Sequence, residues 1–152
     1  MNSSMSQTTS SNASVINQFP ARGKITQVLP DGKTIVFQPA GTNYELHLGI
    51  LDGEKPQVTA RPIEGIIHVK ARKVWTIPSG GNFVAPIFGP PKTIQGRVKW
   101  LDERLLLVQA GTMFVVEMPV SDSAVDLANG AIEAGALVNV TGLPGATFEV
   151  KS

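Results

Sequence analysis

The stretch Lys70-Ala71-Arg72-Lys73-Val74-Trp75 places three cations and an indole within six residues. Cationic side chains follow a phosphate backbone and an aromatic ring stacks on an unpaired base, so a single-stranded nucleic acid or another polyanion would use this pattern. Lys24 in the first half of the chain, and Arg97 and Lys99 in the second, extend the set, since each points away from an apolar neighbour on its strand. Strand parity also supports a plainer reading. With Ile67, Val69 and Ala71 facing inward, His68, Lys70 and Arg72 form an exposed basic stripe, while Lys73 and Trp75 turn inward unless a bulge intervenes. Trp100 shares the parity of Val98 and is expected in the core.

Other chemistries are poorly served. His47 and His68 are the two histidines and there is no cysteine. A zinc site would have to recruit Glu45 or Glu64, so both histidines read as surface residues. Without cysteine there are no disulfides, thiolate ligands or thiol nucleophile. Pro78-Ser79-Gly80-Gly81-Asn82 reads as a hairpin tip, because no helix start follows it to complete an anion cradle. No nucleophile stands beside a base, and Asp102-Glu103 and Asp52-Gly53-Glu54 fall in turns. The expectation is a protein without catalytic machinery, cofactor or metal.

The elements that must position these residues come from a unit written twice. Gly23-Lys24-Ile25 corresponds to Gly96-Arg97-Val98, each opening a strand. The turn at Leu29-Pro30-Asp31-Gly32-Lys33 matches the shorter Asp102-Glu103-Arg104. Apolar strands follow at 34–38 and 105–109. Ala40-Gly41-Thr42 then recurs as Ala110-Gly111-Thr112 at a hairpin. Beyond it Tyr44, Leu46 and Leu48, like Phe114, Val116 and Met118, share one face and are candidate core residues. Fourth strands are expected at 66–71 and 137–142, and fifth strands at 80–84 and 145–149. Between strands three and four the second copy carries a helix signal from Ser121 to Gly130, whereas the first is broken by Asp52-Gly53, Pro56 and Pro62.

In strand order and spacing the chain resembles the OB-fold, a five-stranded, partly open Greek-key barrel, present as two copies over residues 20–150. A pair of SH3-like barrels is the nearest alternative. The expected architecture is therefore all-β, with two tandem five-stranded small barrels and a short helix in the second. Residues 1–19 form a disordered polar tail, 20–88 the first lobe, 89–95 a proline-rich linker and 96–152 the second lobe. Each lobe is small enough to need a packing partner.

The formal net charge is +1, but residues 1–95 carry nine basic and five acidic residues while 96–152 carry four and seven. No apolar run reaches the roughly 20 residues of a membrane span, and the N-terminus lacks the pattern of a signal peptide, so a cytoplasmic protein is expected. The resemblance and the basic first lobe imply a binding module for single-stranded nucleic acid or another polyanion. Docking onto a partner protein or a second copy of the chain is the alternative, and a small-molecule sensor using the cleft between lobes is a third.

Overall fold

The computed structural model describes residues 15–51 and 55–151. Twelve strands make one sheet: β1 (Ala21–Val28), β2 (Thr34–Pro39), β3 (Glu45–Ile50), β4 (Ile63–Thr76), β5 (Phe83–Ala85), β6 (Phe88–Gly89), β7 (Thr93–Leu101), β8 (Leu105–Gln109), β9 (Met113–Glu117), β10 (Val125–Asp126), β11 (Leu137–Gly142) and β12 (Thr147–Val150). The all-β class is as the sequence implies. Among the described residues no helix is long and apolar enough to cross a membrane.

The pairings close into two rings that do not coincide with the two sequence copies. The first runs β1, β2, β3, β12, β4 and back to β1. The second runs β7, β8, β9, β4, β11 and back to β7. Each ring thus takes its fifth strand from the other half of the sequence. The first half supplies the C-terminal part of β4 to the second ring, and the second half returns β12 to the first. In both rings the borrowed strand lies parallel to strand three. Phe83 and Val84, expected as the fifth strand of the first copy, instead flank β7 as β5. The expected linker is also shorter, because Thr93, Ile94 and Gln95 already belong to β7.

Burial explains the exchange. Phe148 on β12 is fully buried and its ring centroid lies 4.5 Å from that of Phe37, tilted by 32°. Phe83, its counterpart by sequence, is 40% exposed. One continuous core spans both rings, with Ile25, Phe37, Leu46, Leu48 and Ile67 at one end and Ile94, Val98, Phe114, Val116 and Val140 at the other. Gly23 and Gly96 lie inside β1 and β7, and each is required there for a steric reason. A Cβ on Gly23 would collide with the carbonyl oxygen of Gln38, and one on Gly96 with that of Gln109. Only glycine lets these strands approach their neighbours so closely.

Two equivalent bulges follow those glycines, at Thr26 in β1 and Lys99 in β7. An inserted residue reverses the facing of what comes after it. Trp100 therefore turns out of the main core, contrary to its parity with Val98, and packs on a second cluster formed by Ile66, Leu107 and Val115. Leu107 and Val115 belong to the second ring, while Ile66 lies on the part of β4 that pairs with β12. Ile16 packs against the same cluster, from a helical turn over residues 15–18. The polar tail expected over 1–19 thus ends in ordered structure, and residues 1–14 lie outside the described residues. Lys151 secures the turn, its Nζ donating to the Asn17 carbonyl oxygen at 2.8 Å.

The helix expected from Ser121 to Gly130 is reduced to one 3-10 turn, Asp122–Ala124, before Val125–Asp126 joins β4 in parallel. Ser121 does not cap it, its hydroxyl lying 2.8 Å from that of Ser123. Asp126 then accepts from the Ala128 N–H at 2.9 Å, closing a local turn that competes with helix.

Candidate functional site

At one end of the second ring β8 and β9 stop short, and β5 and β10 extend the sheet in their place, giving the strand order β5, β7, β11, β4, β10. Register aligns one residue from each. Val84, Ile94, Val140, Val74 and Val125 form a row, and the first four are buried in the core. The adjacent row faces the other way and reads Phe83, Gln95, Asn139, Trp75, Asp126. A third row on that outer face holds Ala85, Thr93, Thr141 and Lys73. Arg97, paired with Leu137, lies on the far side of the amides.

The bulge that parity left open is present in β4. Thr141 pairs with Lys73 and Gly142 with Ala71, so Arg72 is the extra residue. Arg72 and Lys73 are both exposed as a result, and Val74 takes the inward position. Trp75 is half-buried and lines a cavity of about 370 Å³ with Lys73, Ser123, Ala124 and Asp126. From strand rise and spacing, Lys73 and Arg97 sit roughly 17 Å apart on this face, with Trp75, Asn139 and Gln95 between them.

Three of the seven residues singled out in the sequence, Lys73, Trp75 and Arg97, therefore share the outer face of the second ring. Of the others, Lys70, Arg72 and Lys99 lie elsewhere along β4 and β7, and Lys24 lies on the first ring. Arg72 opens onto a neighbouring cavity of about 290 Å³ shared with Lys92, Pro90, Pro91 and Pro144. Lys70 is exposed and paired in register with Glu117 of β9. Lys99 is the exposed bulge residue of β7. Lys24 borders a cavity of about 250 Å³ with Gly41, Thr42 and Pro62. It lies beyond the Gly23–Ile63 pair, which puts roughly 30 Å of strand path between it and Arg72. The basic set accordingly centres on the second ring, not on a first-lobe face.

Two polar residues that the sequence reading did not single out complete the row. Gln95 Nε2 donates to the Gly81 carbonyl oxygen at 2.7 Å, and Asn139 Nδ2 donates to Gln95 Oε1 at 3.0 Å. Asn139 is only 8% exposed, and its Oδ1 is enclosed without a hydrogen-bond partner. Its signal in the sequence is an asparagine set between Val138 and Val140, where a half-buried strand would favour a third β-branched residue.

The histidines stand apart from this face. His47 meets Phe88 edge to face at 5.2 Å, and His68 Nε2 lies 3.2 Å from Glu149 Oε1. Among the described residues no three side chains of the metal-ligating types gather. What the outer face offers is a partly exposed indole, a fixed amide pair and two flanking cations. No protein-family model, curated protein or solved structure matches this chain.

Proposed function

We propose that the chain is a non-enzymatic binding module that holds single-stranded nucleic acid on the outer face of β4, β11 and β7. The observation that carries this reading is the register that sets Trp75 and the amide pair between Lys73 and Arg97 on one continuous face. Strand spacing there lets a base stack on the indole while the flanking cations meet the backbone phosphates. An OB-like ring order, with strands one to three as a meander and the borrowed strand parallel to the third, supports the same reading by analogy of architecture.

Fluorescence anisotropy with labelled single-stranded oligonucleotides, read at two salt concentrations, tests the proposal. Affinity falls steeply between about 50 and 200 mM salt if phosphates are contacted. Lys73→Gln and Arg97→Gln each lower affinity for every sequence and each reduce the salt slope by about one. Trp75→Ala costs about 1–3 kcal/mol of binding with little change in that slope. Absence of binding at low salt would dispose of the reading. If assembly through the edges of β5 and β10 were the function instead, light scattering would report a mass rising with concentration and oligonucleotides would leave it unchanged.

A further inference from the structure

We infer that the cavity at the Arg72 end of the outer face is a binding site for an organic phosphomonoester, the chemistry shared by the phosphorylated end of a nucleic-acid strand and by a free mononucleotide. The cavity measures about 290 Å³ and is lined by Arg72, Lys92 and Thr141, with Pro91, Leu143 and Pro144 among its apolar walls. It begins where the single-strand face ends. Lys73, Thr141 and Thr93 belong to the third row of that face, and Arg72, Gly142 and Lys92 are the next residues along the chain. Backbone bonds fix the walls: the Gly142 N–H donates to the Lys92 carbonyl oxygen at 2.8 Å, and the Leu143 N–H to that of Lys70 at 2.7 Å. The cavity is a feature of its own, whereas a strand end as its occupant rests on the single-strand reading of the adjoining face.

Arg72 and Lys92 flank β11 with their Cα atoms about 10 Å apart, and both line the one cavity. Among the described residues neither has an ion-pair or side-chain hydrogen-bond partner, and no carboxylate lines the cavity. Two like charges repel across such a space, and a dianion between them converts that repulsion into attraction. A phosphomonoester carries about −1.5 to −2 charges near neutral pH, with three oxygens to share between a guanidinium fork and an ammonium. An internal phosphodiester carries a single negative charge, so the pair of cations favours a terminal phosphate. The Thr141 hydroxyl, half-buried and without a protein partner among the described residues, adds a neutral donor. Pro91 is buried and Leu143 is 39% exposed, so the body of a nucleotide covers apolar wall that inorganic phosphate would leave in water. The volume lies at the lower limit of about 300 Å³ for small-ligand sites, which suits one such unit.

The test uses the full chain. Calorimetric titration with adenosine monophosphate, adenosine and inorganic phosphate reads the cavity alone. Anisotropy of 12-mers of dT labelled at one end, with a phosphate or a hydroxyl at the other, reads the strand end. Adenosine monophosphate binds about tenfold more tightly than either adenosine or inorganic phosphate, and Arg72→Gln and Lys92→Gln each lower its affinity about tenfold. Both positions are exposed, and far-ultraviolet dichroism matching the wild type shows the variants folded. A terminal phosphate tightens strand binding by about the same factor, a gain that either variant erases. If the nucleotide meets these values and the terminal phosphate adds nothing, the site stands with the free nucleotide as its occupant. Adenosine monophosphate binding no more tightly than adenosine or inorganic phosphate would overturn the site. Hydroxyl-ended strands then report separately on the adjoining face: salt-dependent binding leaves it intact, and no binding at low salt removes it too.

Discussion

Asp31 and Asp102 occupy equivalent turns and satisfy them with the same atoms. Asp31 Oδ1 accepts from the N–H groups of Lys33 at 2.8 Å and Thr34 at 2.9 Å, while Oδ2 takes the Thr34 hydroxyl at 2.7 Å. Asp102 Oδ1 accepts from Arg104 at 2.8 Å and Leu105 at 2.7 Å. The Lys33 N–H, followed by the Thr34 hydroxyl, holds the Asp31 carboxyl below its ordinary value. A depressed carboxylate stabilises the fold above its unfolded titration range, and that contribution fades as pH falls toward the folded value. Asp31→Asn keeps an acceptor oxygen but removes the charge. It should melt below the wild type at pH 7, with the gap closing below about pH 4, as thermal melts across that range will report. Both turns were legible in the sequence because their signals act locally, Pro30, Asp31 and Gly32 in the first and Asp102 in the second. The Gln95–Asn139 bond was not, since its partners are 44 residues apart and only register brings them together.

Strand faces were legible wherever alternation ran unbroken. Leu46, Leu48, Phe114 and Val116 are buried as their period-two pattern requires, with Tyr44 and Met118 packed at the margin of the same core. Alternation fails past each bulge, because one inserted residue costs the sequence no visible irregularity while reversing everything beyond it. That is why Trp100 escaped its expected place and why Lys73 reached the surface. The helical turn over 15–18 was hidden for a different reason: Val15 and Ile16, two adjacent apolar residues in a short polar stretch, give no periodicity to detect. Its contribution can be measured. Ile16→Asp should uncover Ile66, Leu107 and Val115, raise binding of a hydrophobic dye and lower stability by about 1–2 kcal/mol. Dye binding equal to the wild type would mean that the cluster is covered by its own neighbours instead.

At the scale of the molecule, the sequence shows the repeat but not the exchange. A borrowed strand and a chain's own strand carry the same alternation, so nothing local distinguishes β12 closing the first ring from β12 closing the second. Coordinates decide it through Phe148, whose contact with Phe37 binds the last strand to the second. Because β4 runs through both rings and each closes on the other's strand, unfolding one ring removes a wall of the other. The chain should therefore unfold in one cooperative transition. Phe148→Ala, made in the first ring, should cost about 3–5 kcal/mol and shift the fluorescence transition of Trp75 and Trp100, both on the second ring, by the same amount as the far-ultraviolet dichroism. Two separated transitions would contradict that coupling.

The exchanged strands also bear on how the protein is made. Polypeptides leave the ribosome N-terminus first, at about 5–20 residues per second, and early domains ordinarily fold before later ones appear. Here the earliest three strands wait for Thr147–Val150 before their circuit is complete. Until translation reaches that point, β3 presents an open backbone edge along Gly49 and Ile50, so the nascent chain depends on late synthesis for protection against strand pairing with its neighbours on the same message.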